Sequence, residues 1–434
     1  MTACGDGEKL NAQEPASFRI STGEPMPFLL HIISGPHKGR RLLVEEGAPL
    51  LMGRSRHAET RLEDLSVSRV HCEVELEDGQ VVVTDLDSAG GTFINGQRIT
   101  EQVLRPGDVL QIGESRMRLY APDAVDDEET TEAEPASAVQ LPRLSGDHLR
   151  DLSGQVLSHY RVGPYVARGQ SGMVFQATDF KDERIVALKV LWPGSTSNSE
   201  IRRFVRTVKT LVPLKHPNLV AFRGAGKTGP YCWMAMEFVE GESLEQVITR
   251  IGVAGMLDWR IAFHVAVHLA RALEYAHRQG IIHRNLTPRN VLIQSSDKVT
   301  KLGDLMLAKA LEGHLAEQIT RPGEILGDLR YMAPERTRGT TDVDGRCDLY
   351  GLGALVYAVL TGRPPFDGAT LVEKINRIRN DAPVPPKKFQ MSIPDQCQGI
   401  VLKLLNKRPE DRYETATDLL SDLERVAKLN GLKV

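Results

Sequence analysis

Short apolar runs separated by turn signals cover residues 27–119. Runs such as FLLHII, RRLLVEE, HCEVELE and VVVTDLD are divided by EDGQ, INGQ and RPGD, in which Gly, Asn, Asp and Pro favour tight turns. Several short strands at such spacing are typical of two antiparallel sheets packed face to face. The sequence therefore predicts an all-β sandwich, which we assign to residues 26–121.

A different order of patterns begins near residue 158. The strand-like runs RVGPYVA, MVFQATD and RIVALKVL come first, and after Leu244 helical periods dominate, as in IAFHVAVHLARALEYAHRQG. Strands followed by helices favour an α+β body with a small sheet-rich lobe and a large helical lobe. We assign residues 158–428 to this second domain and residues 429–434 to a C-terminal tail.

Two polar segments complete the multidomain organisation. Residues 1–25 show neither a helical nor a strand period, so we expect them to be disordered. Residues 122–157 begin with an acidic, Pro- and Ala-containing stretch, which offers little apolar surface to bury. We interpret them as a linker between the two domains.

Composition narrows the possible partners and location. The net charge of −3 offers no broad basic surface, so we expect no nucleic acid partner. The five cysteines are scattered without a CxxC pair, which favours reduced thiols over a disulfide framework. No run reaches the roughly 18 apolar residues that a membrane span needs, and the first residues lack the pattern of a secretory signal. We therefore expect a cytoplasmic protein without membrane contact.

The first domain contains blocks that suit phosphate binding. They are Gly53-Arg54, Ser68-Arg69-Val70-His71, Asp85-Leu86 and Gly91-Thr92-Phe93-Ile94-Asn95-Gly96. In this order and spacing they resemble the forkhead-associated (FHA) family, and the resemblance implies binding of a phosphothreonine-containing protein or peptide. Arg54 and Ser68 would donate to the phosphate, because a guanidinium and a hydroxyl on fixed loops bind a dianion well. By the same resemblance Arg69 belongs to the peptide-binding loop, Asn95 holds the ligand backbone or its own loop, and His71 orients the Ser68 loop.

Ordinary structural roles stay open for these residues. Ser68 could cap a helix, Arg54 could be a solvated charge, and Asn95 next to Gly96 could form a hairpin turn. Ala89-Gly90 also stand where the family usually has Thr-Asn. This change removes two polar groups that usually hold the ligand, and implies weaker binding or an altered preference.

The second domain carries its own ordered series of blocks. They are Arg168-Gly169-Gln170-Ser171-Gly172-Met173-Val174, Val186-Ala187-Leu188-Lys189, His216-Pro217-Asn218, Met236-Glu237-Phe238-Val239 and Ala333-Pro334-Glu335. With them, residues 160–427 resemble the bacterial serine/threonine protein kinases, although Ala167 stands where the first glycine of the phosphate-covering loop belongs.

The kinase resemblance implies a site for ATP and Mg²⁺. The implied nucleotide-binding residues are Gly169, Gly172, Val174, Ala187, Lys189, Glu237, Val239, Asn290 and Leu292, and the implied metal ligands are Asn290 and Asp304. Three further residues would maintain the helical lobe: Asp348 at the start of the buried helix DLYGLGALVYAVL, and Arg412 paired with Glu335.

The catalytic residues depart from the family pattern. The loop reads His283-Arg284-Asn285-Leu286-Thr287-Pro288-Arg289-Asn290, with Asn285 where the carboxylate base belongs and Thr287 where a lysine belongs. An amide cannot accept the proton of the attacking hydroxyl, and loss of a positioned base typically costs about 10²- to 10⁴-fold in rate. The metal motif reads Asp304-Leu305-Met306 in place of Asp-Phe-Gly.

Two further departures concern charge. Thr207 takes the position of the helix glutamate that pairs with Lys189, and Glu200 lies seven residues earlier, about 10 Å along a helix. Asp328 replaces the activation-segment threonine that bridges the catalytic aspartate and lysine. Either the site drifted after catalysis was lost, or Asp328 supplies a carboxylate near the reacting hydroxyl.

Three hypotheses follow for the whole chain. The first is a pseudokinase scaffold that reads phosphothreonine and retains nucleotide binding, and the second is a slow serine/threonine kinase using Mg-ATP. The third is a pair of protein-interaction surfaces in which neither pocket works. Thr130 and Thr131, in an acidic stretch, are either part of a plain solvated linker or a site that the first domain binds intramolecularly once phosphorylated.

Overall fold

The computed structural model describes residues 27–46, 48–55, 58, 60–121, 146–169, 171–191, 208, 212–229, 231–254, 258–305, 328–338 and 343–433. The predictions made for residues 1–25, and for Thr130, Thr131, Glu200 and Thr207, lie outside these ranges.

The first domain is a sandwich of two sheets. Its strands are β1 Phe28–Ser34, β2 Arg41–Val44, β3 Leu50–Gly53, β4 Thr60–Arg61, β5 Cys72–Glu77, β6 Gln80–Asp85, β7 Thr92–Ile94, β8 Gln97–Ile99, β9 Glu101–Leu104, β10 Val109–Ile112 and β11 Ser115–Tyr120. One sheet has the order β2-β1-β11-β10-β7-β8 and the other β4-β3-β5-β6-β9. Alternate residues of β5, Cys72, Val74 and Leu76, enter the core between the sheets, as the two-residue period of a strand requires.

The small lobe of the second domain is a six-stranded sheet in the order β12-β13-β14-β15-β17-β16. Its strands are β12 Val156–Leu157, β13 Tyr160–Arg168, β14 Gly172–Asp179, β15 Ile185–Leu191, β16 Phe222–Thr228 and β17 Tyr231–Glu237. A small sheet follows, formed by β18 Gly241–Ser243, β19 Val291–Gln294 and β20 Thr300–Leu302.

The large lobe is helical. Its helices are α1 Leu244–Ala254, α2 Trp259–Arg278, α3 Arg346–Thr361, α4 Leu371–Asn380, α5 Asp395–Leu404 and α6 Ala416–Leu429. Helix α3 is buried along almost its whole length. A Cβ added at Gly353 of this helix would lie 2.6 Å from the Cβ of Leu404, so a glycine is needed where α3 meets α5. The predicted fold class, a sandwich followed by a two-lobed α+β domain, is confirmed.

Residues 146–157 differ from the linker assignment. Gly146–Leu152 form a 3₁₀ helix, and Val156–Leu157 join the sheet as its edge strand. Leu149, Leu152 and Leu157 are fully buried in the core of the small lobe. Because these leucines supply the apolar area that the acidic stretch lacks, this part of the predicted linker belongs to the second domain.

In the described part of the chain, no helix is both long and apolar enough to cross a bilayer.

Candidate functional site

Backbone pairing brings the two candidate phosphate donors of the first domain together. The Arg54 N–H donates to the Ser68 carbonyl at 3.0 Å, and the Ser55 N–H donates to the Arg69 carbonyl at 3.0 Å. A Cβ at Gly53 would collide with the Arg69 carbonyl, so only glycine permits this approach. Arg54 and Arg69 are exposed and Ser68 is half-buried, which leaves the phosphate-binding groups accessible to a ligand.

Ser68 and His71 are held in fixed orientations. The Ala89 N–H donates to Ser68 Oγ at 3.0 Å, so the hydroxyl proton of Ser68 stays available for a ligand. The Ser68 N–H lies 3.1 Å from His71 Nδ1, and His71 Nε2 lies 3.0 Å from the Gly91 carbonyl. Burial lowers the pKa of His71, which keeps the ring neutral with Nδ1 as acceptor and Nε2–H as donor. His71 therefore ties the Ser68 loop to the Gly91 loop.

Asn95 is engaged within its own domain. Its Nδ2 donates to Asp108 at 2.8 Å, and its Oδ1 accepts from the Val109 N–H at 2.9 Å. Its φ of +50° is the left-handed conformation of a turn residue, which Asn tolerates. Of the two roles that the resemblance leaves open, the structure favours holding the loop.

Sequence reasoning missed Arg98 beside this site. A Cβ added at Gly91 would lie 2.7 Å from the Arg98 Nε, so the guanidinium lies against the glycine backbone. Arg98 belongs to β8, outside the recognised blocks, and only its place directly across the β7–β8 hairpin from Phe93 indicates the proximity.

In the second domain the glycine-rich loop lies over Lys189. The Gly169 N–H donates to the Gly172 carbonyl at 2.8 Å, and a Cβ at Gly169 would lie 3.8 Å from Lys189 Nζ. Lys189 Nζ forms an ion pair with Asp304 Oδ2 at 2.7 Å, and the lysine side chain is 3% exposed. The lysine and the metal-motif carboxylate thus neutralise each other.

The candidate base-binding residues lie on β14, β15 and β19 and just after β17. Val174 pairs with Lys189 in the sheet, and Ala187 pairs with Met236 at the start of the hinge. Ala187, Val239 and Leu292 are partly buried against the large core. The Glu237 N–H donates to the Ala221 carbonyl at 2.8 Å, and its carboxylate pairs with Lys301 at 2.9 Å.

The Asp348 carboxylate binds the backbone of the catalytic loop. Its carboxylate accepts from the backbone N–H groups of His283 at 2.8 Å and Arg284 at 2.7 Å, and lies 2.9 Å from His277 Nε2. Burial alone would raise the pKa of Asp348, but the hydrogen bond and charge of His277 and the contacts to His283 hold it below its ordinary value. Asp348 is therefore an ionised structural anchor.

The loop residues themselves lie close together. Asn290 Nδ2 donates to the backbone carbonyl of Asn285 at 2.9 Å, and the Asn290 N–H donates to the Thr287 carbonyl at 3.0 Å. Thr287 is buried and precedes the short 3₁₀ helix Pro288–Asn290. These contacts hold the loop together, and two of its side chains, Asn285 and Thr287, differ from the family pattern.

Asp328 is occupied by a neighbouring arginine. Its carboxylate accepts from Arg330 Nε at 2.9 Å and Arg330 Nη2 at 2.5 Å, and also caps the backbone N–H of Arg330. The hydrogen bond to Asp328 raises the pKa of Arg330. Both oxygens of the Asp328 carboxylate are therefore engaged by the Arg330 guanidinium.

Glu335 and Arg412 form a bidentate ion pair inside the large lobe. Arg412 donates to the two carboxylate oxygens at 2.7 Å and 2.8 Å, and its side chain is completely buried.

Comparison with known proteins agrees with both halves of the architecture. The family model "Protein kinase domain" matches residues 160–422, and the family model "FHA domain" matches residues 50–113. A probable serine/threonine-protein kinase of Clostridium perfringens is 32% identical over 279 residues, which cover 64% of this chain and 40% of that protein. The serine/threonine-protein kinase PknB of Mycolicibacterium smegmatis is 34% identical over 272 residues, which cover 62% of this chain and 43% of PknB.

The chain thus matches about two fifths of the length of each of these relatives. Among solved structures, Rad53 residues 1–466 in complex with AMP-PNP aligns with a TM-score of 0.50 at 22% identity, covering 92% of this chain and 99% of that one. This likeness shows the fold. The kinase model matches more than half of the residues, so the chain belongs to the protein kinase family. It carries an FHA domain ahead of its kinase domain, a combination that supports a role in signalling.

Proposed function

We propose that this chain is a signalling scaffold that reads phosphothreonine through its FHA domain and carries a catalytically impaired kinase domain that still binds ATP and Mg²⁺. The observation that carries the proposal is the catalytic loop. Asn285 replaces the proton-accepting carboxylate, and Asp328, the candidate substitute, is held by Arg330. Neither side chain offers a free base to a substrate hydroxyl.

The nucleotide part of the proposal rests on the groups that the cleft retains. Lys189 would contact the phosphates, Asp304 and Asn290 would hold Mg²⁺, and Ala187, Val239 and Leu292 would enclose the base. The Lys189–Asp304 ion pair supports this fit, since it already sets a buried amine beside a metal-binding carboxylate. When bound, Mg²⁺ neutralises phosphate charge. Binding of Mg-ATP would require Lys189 and Asp304 to exchange part of their mutual contact for phosphate and metal.

A slow kinase is the alternative, because the relatives are named as serine/threonine kinases and the chain keeps Lys189, Asn290 and Asp304. It predicts phosphate transfer that depends on the metal-binding carboxylate.

We expect no transfer of labelled phosphate from Mg-ATP, either to the protein itself or to a generic basic substrate. We also expect Mg-ATP to raise the thermal midpoint of the kinase domain, because a ligand that binds only the folded state stabilises it. The Asp304→Ala variant should lose the magnesium-dependent part of that shift. Calorimetry and a transfer assay on the same preparations measure both quantities.

Transfer by the wild type that disappears in Asp304→Ala would overturn the scaffold proposal. In that case Asp328→Ala decides whether Asp328 takes part, since loss of transfer would assign it a catalytic role. Absence of any thermal shift with Mg-ATP would remove the nucleotide part of the proposal and leave an interaction surface.

A further inference from the structure

One face of β5 in the FHA domain is acidic yet buried. Glu73, Glu75 and Glu77 alternate with the core residues of the strand, so they point to the side away from the sandwich interior. Glu73 is 6% exposed and Glu75 is 7% exposed. Carboxylates are almost never buried to this extent without partners, so something must cover this face.

The kinase domain covers it. Glu77 Oε1 forms an ion pair with Lys227 Nζ at 2.6 Å, and Glu75 Oε1 accepts the Gly229 N–H at 2.6 Å. Both partners lie at the tip of the β16–β17 hairpin. Glu73 Oε2 accepts the Ser158 hydroxyl at 3.1 Å, from the turn between β12 and β13.

An apolar contact lies beside the acidic one. Leu51, Val70 and Leu86 of the FHA domain pack with Phe180 of the kinase domain, which is 4% exposed, and Val156 lies against the same cluster. The Arg161 guanidinium covers the Phe180 ring at 5.4 Å from its centroid.

This arrangement leaves the peptide-binding side of the FHA domain open. Val70 is buried against the kinase domain, while its neighbour Arg69 is exposed, as are Arg54 and Asn95. The contact therefore buries Val70 but leaves Arg54, Arg69 and Asn95 exposed.

Acidic groups lie close together at the contact. Among the described residues, Lys227 forms an ion pair with Glu77, while Glu75 is buried two positions away on the same face of β5 and accepts a backbone N–H. Titratable groups nearby in the described part of the chain include His159, whose Nδ1 lies 3.2 Å from the Ser158 hydroxyl, and Cys232, which pairs with Lys227 in the hairpin. Glu75 and Glu77 are neighbours on this strand face, so they cannot both ionise cheaply. One proton is therefore favoured in the docked state.

We propose that the face of β5 formed by Glu73, Glu75 and Glu77 is a docking surface for the β16–β17 hairpin of the chain's own kinase domain, and that a proton retained by Glu75 keeps the two domains docked. The proposal does not depend on phosphothreonine or nucleotide binding.

The protonation argument has a definite sign. Burial, followed by the charge of Glu77, raises the pKa of Glu75 to about 8, whereas an exposed Glu75 in an undocked chain has the ordinary value of 4.5. Between these two values the docked state keeps a proton that the undocked state has lost. Docking therefore weakens as the pH rises through this window, by up to about tenfold per pH unit, and levels off above it.

Charge reversal in the full chain tests the contact itself. We expect Lys227→Glu to lower hydrogen-exchange protection of the Gly229 amide by about tenfold or more and to increase the radius of gyration in small-angle scattering. The double variant Glu77→Lys with Lys227→Glu restores the attraction, so it should recover both values. The matched control is Lys387→Glu, which reverses an ion pair to Asp395 of the same 2.6 Å length on the large lobe and should change neither quantity.

A Lys227→Glu variant indistinguishable from Lys387→Glu would overturn the docking surface. The pH part has its own test, since Gln at position 75 can still accept the Gly229 N–H but carries no charge. The radius of gyration of the wild type should rise between pH 6.5 and 8.5, while that of Glu75→Gln should stay constant. An identical pH response in both proteins would refute the role of the Glu75 proton.

Discussion

Replacing Arg412 by Ala is expected to lower the free energy of unfolding of the kinase domain by about 3–5 kcal/mol, because removing one partner of a buried ion pair leaves the other charge uncompensated. Arg412 donates to both oxygens of Glu335 and also to the backbone carbonyls of Asn406 at 2.8 Å and Arg346 at 2.9 Å. Its loss would remove hydrogen bonds to acceptors on three separate segments of the large lobe.

Arg408→Ala is the matched control for this prediction. Arg408 lies four residues away and pairs with Glu410 at 2.5 Å, but its side chain is 72% exposed. An exposed pair contributes about 1 kcal/mol or less, since water and salt screen it. Urea unfolding followed by tryptophan fluorescence measures both variants. Equal losses would mean that burial of Arg412 does not set its contribution.

The fold was predictable because the patterns along the chain are strong and local. Alternation in runs such as HCEVELE fixes which face of β5 enters the sandwich core, and the long helical period of residues 259–278 corresponds to α2. Helix ends also have local causes. The N–H of Arg260 is capped by Asp258, and Thr415 with Asp418 forms a capping box at the start of α6.

The linker boundary was harder to predict because composition averages over short stretches. Leu149, Leu152 and Leu157 lie in a polar context, so their contribution to the core becomes visible only when the neighbouring sheet is present. Tertiary packing decided the structure of this segment.

Side-chain partners in the candidate sites could not be predicted from order and spacing. The motifs predict that Lys189 pairs with a helix glutamate, which this sequence lacks. In the structure Lys189 pairs with Asp304, which is 115 positions away. The motifs also place Asp328 near the catalytic loop, but its carboxylate accepts hydrogen bonds from Arg330, two residues along the chain. Such choices depend on rotamers and on distances between segments, which a linear pattern does not contain.

The acidic face of β5 illustrates the same limit. Charged residues at every second position of a strand usually lie on a face exposed to solvent, so the sequence alone predicts that this face is solvated. Only the placement of Lys227 and Gly229 against it turns these glutamates into an interface. The two domains therefore share a contact that neither domain's own motifs indicate.

Arg54→Ala and Ser68→Ala are each expected to weaken binding of a phosphothreonine peptide by about 10- to 100-fold, because a hydrogen bond to a charged group contributes roughly 1.5–3 kcal/mol. Backbone pairing holds the two residues side by side, and the Ala89 N–H leaves the Ser68 hydroxyl free to donate. Fluorescence anisotropy with a degenerate phosphothreonine peptide pool, beside its unphosphorylated counterpart, gives the affinities. Arg118→Ala removes an exposed arginine from β11 and should leave binding unchanged.

If all three variants bind like the wild type, phosphate recognition lies elsewhere in the protein. If Arg118→Ala weakens binding as much as the other two variants, the effect is one of net charge alone.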